Sequence, residues 1–140
     1  MRYRPITQYP FKLIVDREWK RAKKLLPCLR RKPKVVWATA SHMAWAVGGY
    51  RYQRSGTQGM CSRSANRISM HEGYLEHGLH KEFVLTLRHE FAHLPRPSNS
   101  RSHGKDFLYW MKRLGGTRYC TASIKELAEQ KTTSPEVDSL

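Results

Sequence analysis

Arg88-His89-Glu90-Phe91-Ala92-His93-Leu94 is the stretch on which the reading of this chain turns. Residues four apart share one face of a helix, so the imidazoles of His89 and His93 emerge together, one turn apart. Two neutral imidazoles at that spacing can reach one Zn2+ at roughly 2.0–2.1 Å each. Glu90 is rotated by about 100° from His89 on a 3.6-residue helix, which places it beside the metal without making it a ligand. From there its carboxylate can take a proton from an attacking water and pass it to a leaving amine. Metal-assisted peptide hydrolysis needs this spacing. The plainer alternative is two surface histidines on an amphipathic helix. It is weakened because Leu79, Phe83, Leu87, Phe91 and Leu94 fall close to one face and require a core.

Catalytic zinc takes three protein ligands and a water, so two histidines leave the site short. The longer pattern HExxHxxGxxH would need Gly at 96 and His at 99, where the chain has Arg96 and Asn99. No Glu occurs between Glu90 and Glu126. His103, followed by Gly104, is therefore the best third ligand, with Asp106 as the fallback. His77 and His80 read as exposed polar positions, and neither His42 nor His71 has a partner that the sequence identifies. Cys28, Cys61 and Cys120 form no CxxC pair, which rejects a zinc ribbon and reads as free thiols in a reducing compartment.

Outward from the motif, helical periodicity predicts a helix over 73–94, ended by Pro95 and Pro97. A following helix is expected over 102–114, with Gly115-Gly116 as its stop. Extended runs at 35–38, 44–53 and 67–70 predict three strands, with turn material at 55–59. A first helix is expected over 16–26, with Asp16 as its N-cap, Trp19, Ala22 and Leu26 as its apolar stripe, and Pro27 as its end. The fold class expected is α+β: a small antiparallel three-stranded sheet packed with an N-terminal basic helix, the HExxH helix and the helix after it. One domain over 1–130 is expected, with 1–34 as a basic segment, 35–120 as the core and 131–140 as a polar, disordered tail.

The charge is uneven. Lys and Arg number 26 against 11 Asp and Glu, for a net charge of +15, of which residues 1–34 supply +10. Arg17, Lys20, Arg21, Lys23, Lys24, Arg30, Arg31, Lys32 and Lys34 crowd one segment opposed by Glu18 alone. A solvated helix face is the bland reading; a surface that contacts phosphates is the sharper one. Trp and Tyr side chains over 37–52 offer stacking surfaces or core, and core is favoured for Trp37 and Trp45. No apolar run approaches the roughly 20 residues of a membrane span, and the N-terminus has no signal-peptide h-region, so an intracellular protein is expected.

At this point the residues resemble the SprT-like zinc metalloproteases, the family of the DNA–protein crosslink proteases. The likeness runs over 35–119. It rests on Gly59-Met60-Cys61-Ser62, Ile68-Ser69, Leu85-Thr86-Leu87-Arg88-His89-Glu90-Phe91-Ala92-His93, and His103-Gly104-Lys105-Asp106-Phe107 through Leu114-Gly115. The resemblance implies that His89, His93 and His103 bind one zinc and that Glu90 is the catalytic base. It also implies an endopeptidase for protein attached to DNA. Phosphate contacts from 17–34, with the aromatic residues of 37–52 as stacking surfaces, would favour single-stranded DNA as the partner, and a nucleoid, cytoplasm or nucleus is the expected compartment. A bare protease core is expected, without the C-terminal zinc ribbon or regulatory tails of many relatives and with a shorter loop between His93 and His103. Two other functions compete: a nucleic-acid-binding module with a structural zinc, and a metallopeptidase unrelated to DNA.

Overall fold

The computed structural model of the chain describes residues 3–38, 59–63, 65–95 and 104–116. Its strands are β1 (Tyr3–Pro5), β2 (Lys34–Ala38), β3 (Gly59–Ser62) and β4 (Arg67–His71), joined in one sheet in the order β1-β2-β4-β3. Its helices are α1 (Phe11–Leu25), the single-turn α2 (Gly73–Glu76), α3 (His80–Phe91) and α4 (Lys105–Leu114).

The α+β class holds, but the sheet differs from the one expected. It has four strands, and it is mixed. β2 and β4 run parallel, with Val36 opposite Ser69 and Trp37 opposite Met70, while β1 and β3 pair antiparallel on either side. Alternation along a short strand tells which residues face a core; strand direction depends on the connections, which alternation does not carry. β1 is three residues long and ends in proline, a combination that reads as no strand and is tolerated at a sheet edge. β3 starts at Gly59, where turn material was expected. The extended run at 44–53 and the tail at 131–140 lie outside the described residues.

Helix α1 begins at Phe11, ahead of the expected Asp16 cap. Phe11, Ile14 and Val15 continue the stripe of Trp19 and Ala22, and all five side chains are buried. Asp16 instead faces outward and accepts a hydrogen bond from Lys32 Nζ at 2.6 Å. The helix expected over 73–94 is two. Gly78 takes φ +62°, the left-handed conformation that ends a helix, and Leu79 N–H turns back to Tyr74 O at 2.9 Å. The apolar periodicity survives this break, because Leu79, Phe83, Leu87 and Phe91 are all buried.

Helix α3 lies against α1, β3, β4 and α4. Its core contact is aromatic: Phe83 meets Phe11 at 5.0 Å and Trp37 at 5.4 Å between ring centroids, and Phe11 meets Trp37 edge-on at 5.1 Å. Burying rings of this size contributes roughly 2–3 kcal/mol each. The Trp37 indole N–H, which would otherwise be stranded in that core, donates to Gln8 Oε1 at 2.9 Å. Helix α4 stops where expected, Gly115 taking φ +77° with its N–H on the Met111 and Lys112 carbonyls. Among the described residues, no helix is long and apolar enough to cross a membrane.

Candidate metal centre

His89 and Glu90 occupy the last turn of α3, and His93 follows just past its C-cap, Ala92. The helical path continues through a tighter turn, His93 N–H donating to Glu90 O and Leu94 N–H to Phe91 O, both at 3.1 Å. This keeps the two imidazoles on one side, with ring centroids 5.1 Å apart. One ligand atom from each of His89, Glu90 and His93 lies within 4.8 Å of the others. Phe107, in the first turns of α4, stacks on His93 at 4.4 Å and meets His89 edge-on at 4.8 Å. Its ring limits how far either imidazole can swing.

The Glu90 carboxyl is buried, and the loss of hydration pushes its pKa up from 4.5 to about 8. A carboxylate forced out of water is stabilised by an adjacent cation, and imidazole nitrogens suit zinc and other late first-row ions. The donor set therefore fits a divalent metal. His103, the third ligand expected from sequence, lies outside the described residues, and the fallback Asp106 is exposed and not part of the cluster.

Two contacts with other elements hold this turn in place. Gly59, at the start of β3, passes so close that a β-carbon there would sit 2.8 Å from Thr86 Cγ2 and 3.1 Å from Glu90 Oε2. On the other side, Arg88 is gripped by Glu18 of α1, Nε to Oε1 at 2.6 Å and Nη2 to Oε2 at 3.4 Å, and its Nη1 donates to Gly115 O at 3.3 Å. Glu18 is only 4% exposed. It is the single acid among nine bases in 17–34, and it sits on the buried stripe of α1; those two facts were its only signal in the sequence.

The basic residues divide. Arg21 is engaged within the fold, donating to Leu114 O at 2.6 Å, and Lys32 is paired with Asp16. Arg17 is exposed but lies 4.0 Å from Glu18. Lys20, Lys23, Lys24, Arg30, Arg31 and Lys34 are exposed, together with Lys12, which the sequence reading did not include. Trp37 is wholly buried, so it offers no stacking surface, and Trp45 lies outside the described residues.

No curated protein and no solved structure matches the chain significantly. The model of the SprT-like family does match, over residues 16–127, a span that takes in α1 from Asp16 onward, the sheet from β2 onward and the whole His-Glu-His cluster. On that match the chain belongs to the SprT-like family.

Proposed function

We propose that the chain is a zinc-dependent endopeptidase that cleaves proteins bound or crosslinked to DNA. The observation that carries this reading is the His89, Glu90 and His93 cluster around the buried Glu90, its ligand atoms within 4.8 Å of one another in a SprT-like chain. His89 and His93 would hold the metal, with His103 as the third imidazole. Bound zinc would polarise the scissile carbonyl and acidify the attacking water. Glu90 takes a proton from that water as the C–O bond forms and delivers it to the amine nitrogen as the C–N bond breaks. Burial raises its pKa when no cation is near, and a metal bound beside it would favour the carboxylate that the first half needs.

The exposed Lys20, Lys23, Lys24, Arg30, Arg31 and Lys34 would contact phosphates, and selectivity would come from proximity.

Metal content and cleavage of a DNA-bound protein, with and without single-stranded DNA, test the reading on wild type and Glu90→Gln. The variant should retain zinc and lose cleavage by at least about a hundredfold. Equal cleavage by both forms would overturn the mechanism. Cleavage indifferent to DNA, and to salt between about 50 and 200 mM, would overturn the DNA-directed part and leave a general metallopeptidase.

A further inference from the structure

Helix α4 carries Phe107 and Leu114 inward, and its opposite face is of another character. Lys105, Tyr109, Lys112 and Arg113 recur at i, i+4, i+7 and i+8 on the outer side, and all four are exposed. Tyr109 is 58% exposed, one of the largest apolar surfaces the described residues leave in water. Its ring is not loose: Trp110, partly buried against the core, meets it edge-on at 4.6 Å. A fixed aromatic face flanked on both sides by cations is the pattern that stacks a base while its phosphates are neutralised. One acid, Asp106, flanks the stripe.

The stripe also continues beyond α4. Arg113 Nε donates to Leu25 O at 2.6 Å and Arg21 to Leu114 O at 2.6 Å, so the C-terminal ends of α1 and α4 are tied together. Lys23 and Lys24 in the last turn of α1 thus join Lys112 and Arg113 in one basic surface. Phe107, on the inner side of the same helix, touches both metal-site imidazoles. A strand on the outer side therefore passes within about one helix diameter, ~10–12 Å, of the metal cluster.

We infer that the outer face of α4 is a single-stranded DNA-binding surface, with an unpaired base stacked on Tyr109 and the flanking phosphates on Lys105, Lys112 and Arg113. This rests on the DNA-directed reading above and adds to it where the strand lies. The exposed ring selects single strands, because a base can reach it only when free of its duplex stack. A protein carried on that strand is held beside the cleavage site, which raises its local concentration without a side-chain pocket.

Fluorescence anisotropy of the full chain with labelled oligo(dT) of about 15 nucleotides, the equivalent duplex, and oligo(U) tests it. Tyr109→Ala should weaken oligo(dT) binding about tenfold or more, Tyr109→Phe should restore it, and duplex binding should change far less. Lys112→Gln should lower the slope of log affinity against log salt by about 0.7 for the single strand. Thermal unfolding of each variant shows whether the fold is intact; if Tyr109→Ala unfolds, the Lys112→Gln slope decides. Wild-type affinity in Tyr109→Ala overturns the α4 surface while leaving DNA-directed cleavage standing. Wild-type protein that binds no oligonucleotide overturns both. A Tyr109-dependent preference for oligo(U) makes the partner RNA and overturns DNA.

Discussion

A methyl group at position 59 would have to share space with Thr86 Cγ2 at 2.8 Å, and Thr86 is poorly placed to yield. Its hydroxyl is held by the Tyr74 hydroxyl at 2.7 Å in the buried interior. The strain would fall on β3 or on Glu90, whose Oε2 is 3.1 Å from the same point. Gly59→Ala should therefore cost about 1–3 kcal/mol of stability. Cleavage should fall about a hundredfold with metal content unchanged, because a misplaced base costs more than its own packing. A variant with wild-type kcat would show that the close approach has no bearing on catalysis. Glu90 itself predicts a pH effect in the metal-free protein. Its folded pKa, raised from 4.5 to about 8 by burial, favours the neutral form, so the stability it contributes is full below pH 4.5 and is lost as pH rises through 8. The loss is at most about 5 kcal/mol, and Glu90→Gln, neutral throughout, should flatten it in urea titrations at several pH values. The three residues of the cluster were legible in the sequence because they are neighbours on one helix, where spacing alone fixes direction. Gly59 was legible only as part of a family resemblance, since the atoms it must avoid come from another element.

Between elements the decisive contact is Glu18 with Arg88. It ties α1 to the residue immediately before His89, and Arg88 passes the connection on to Gly115 at the end of α4. Removing one partner of a buried pair leaves the other charge without compensation. Glu18→Gln should lower stability by about 2–3 kcal/mol, allowing for the partial exposure of Arg88. In a double-mutant cycle with Arg88→Met the two losses should be clearly less than additive. Additive losses would mean that the pair is incidental. This network explains where sequence reading stopped. Apolar spacing located α1, α3 and α4 and named their buried faces correctly, because burial imposes the period. It misplaced the start of α1, since an exposed Asp16 looks like a cap until Lys32 is seen beside it. It also ran α2 and α3 together, since Gly78 in a helical pattern is read as tolerated until its backbone turns left-handed. Strand direction and the parallel β2–β4 pair were not accessible at all, being properties of connections.

Across the whole molecule, charge and core do not separate into different segments. Residues 1–34 supply +10 of the net +15, which invites the view of a detachable basic arm. Yet the same residues put Phe11, Ile14, Val15, Trp19, Ala22, Leu26 and Leu29 into the core shared with α3 and α4. A chain begun at residue 35 should therefore fail to fold, showing no cooperative thermal transition, whereas neutralising Lys20, Lys23 and Lys24 by Gln should leave the transition in place. A cooperative transition in the shortened chain would restore the detachable arm. The reciprocal capping of α1 and α4 has a further consequence, set by the order in which a ribosome delivers the chain. Arg21 waits for a carbonyl 93 residues downstream and Leu25 for a guanidinium 88 residues downstream. At about 5–20 residues per second, the end of α1 waits roughly 4–19 seconds of synthesis for these two ties. During that interval the growing chain is a client for whatever factor shields nascent helices, and slow codons between the two helices would lengthen the wait.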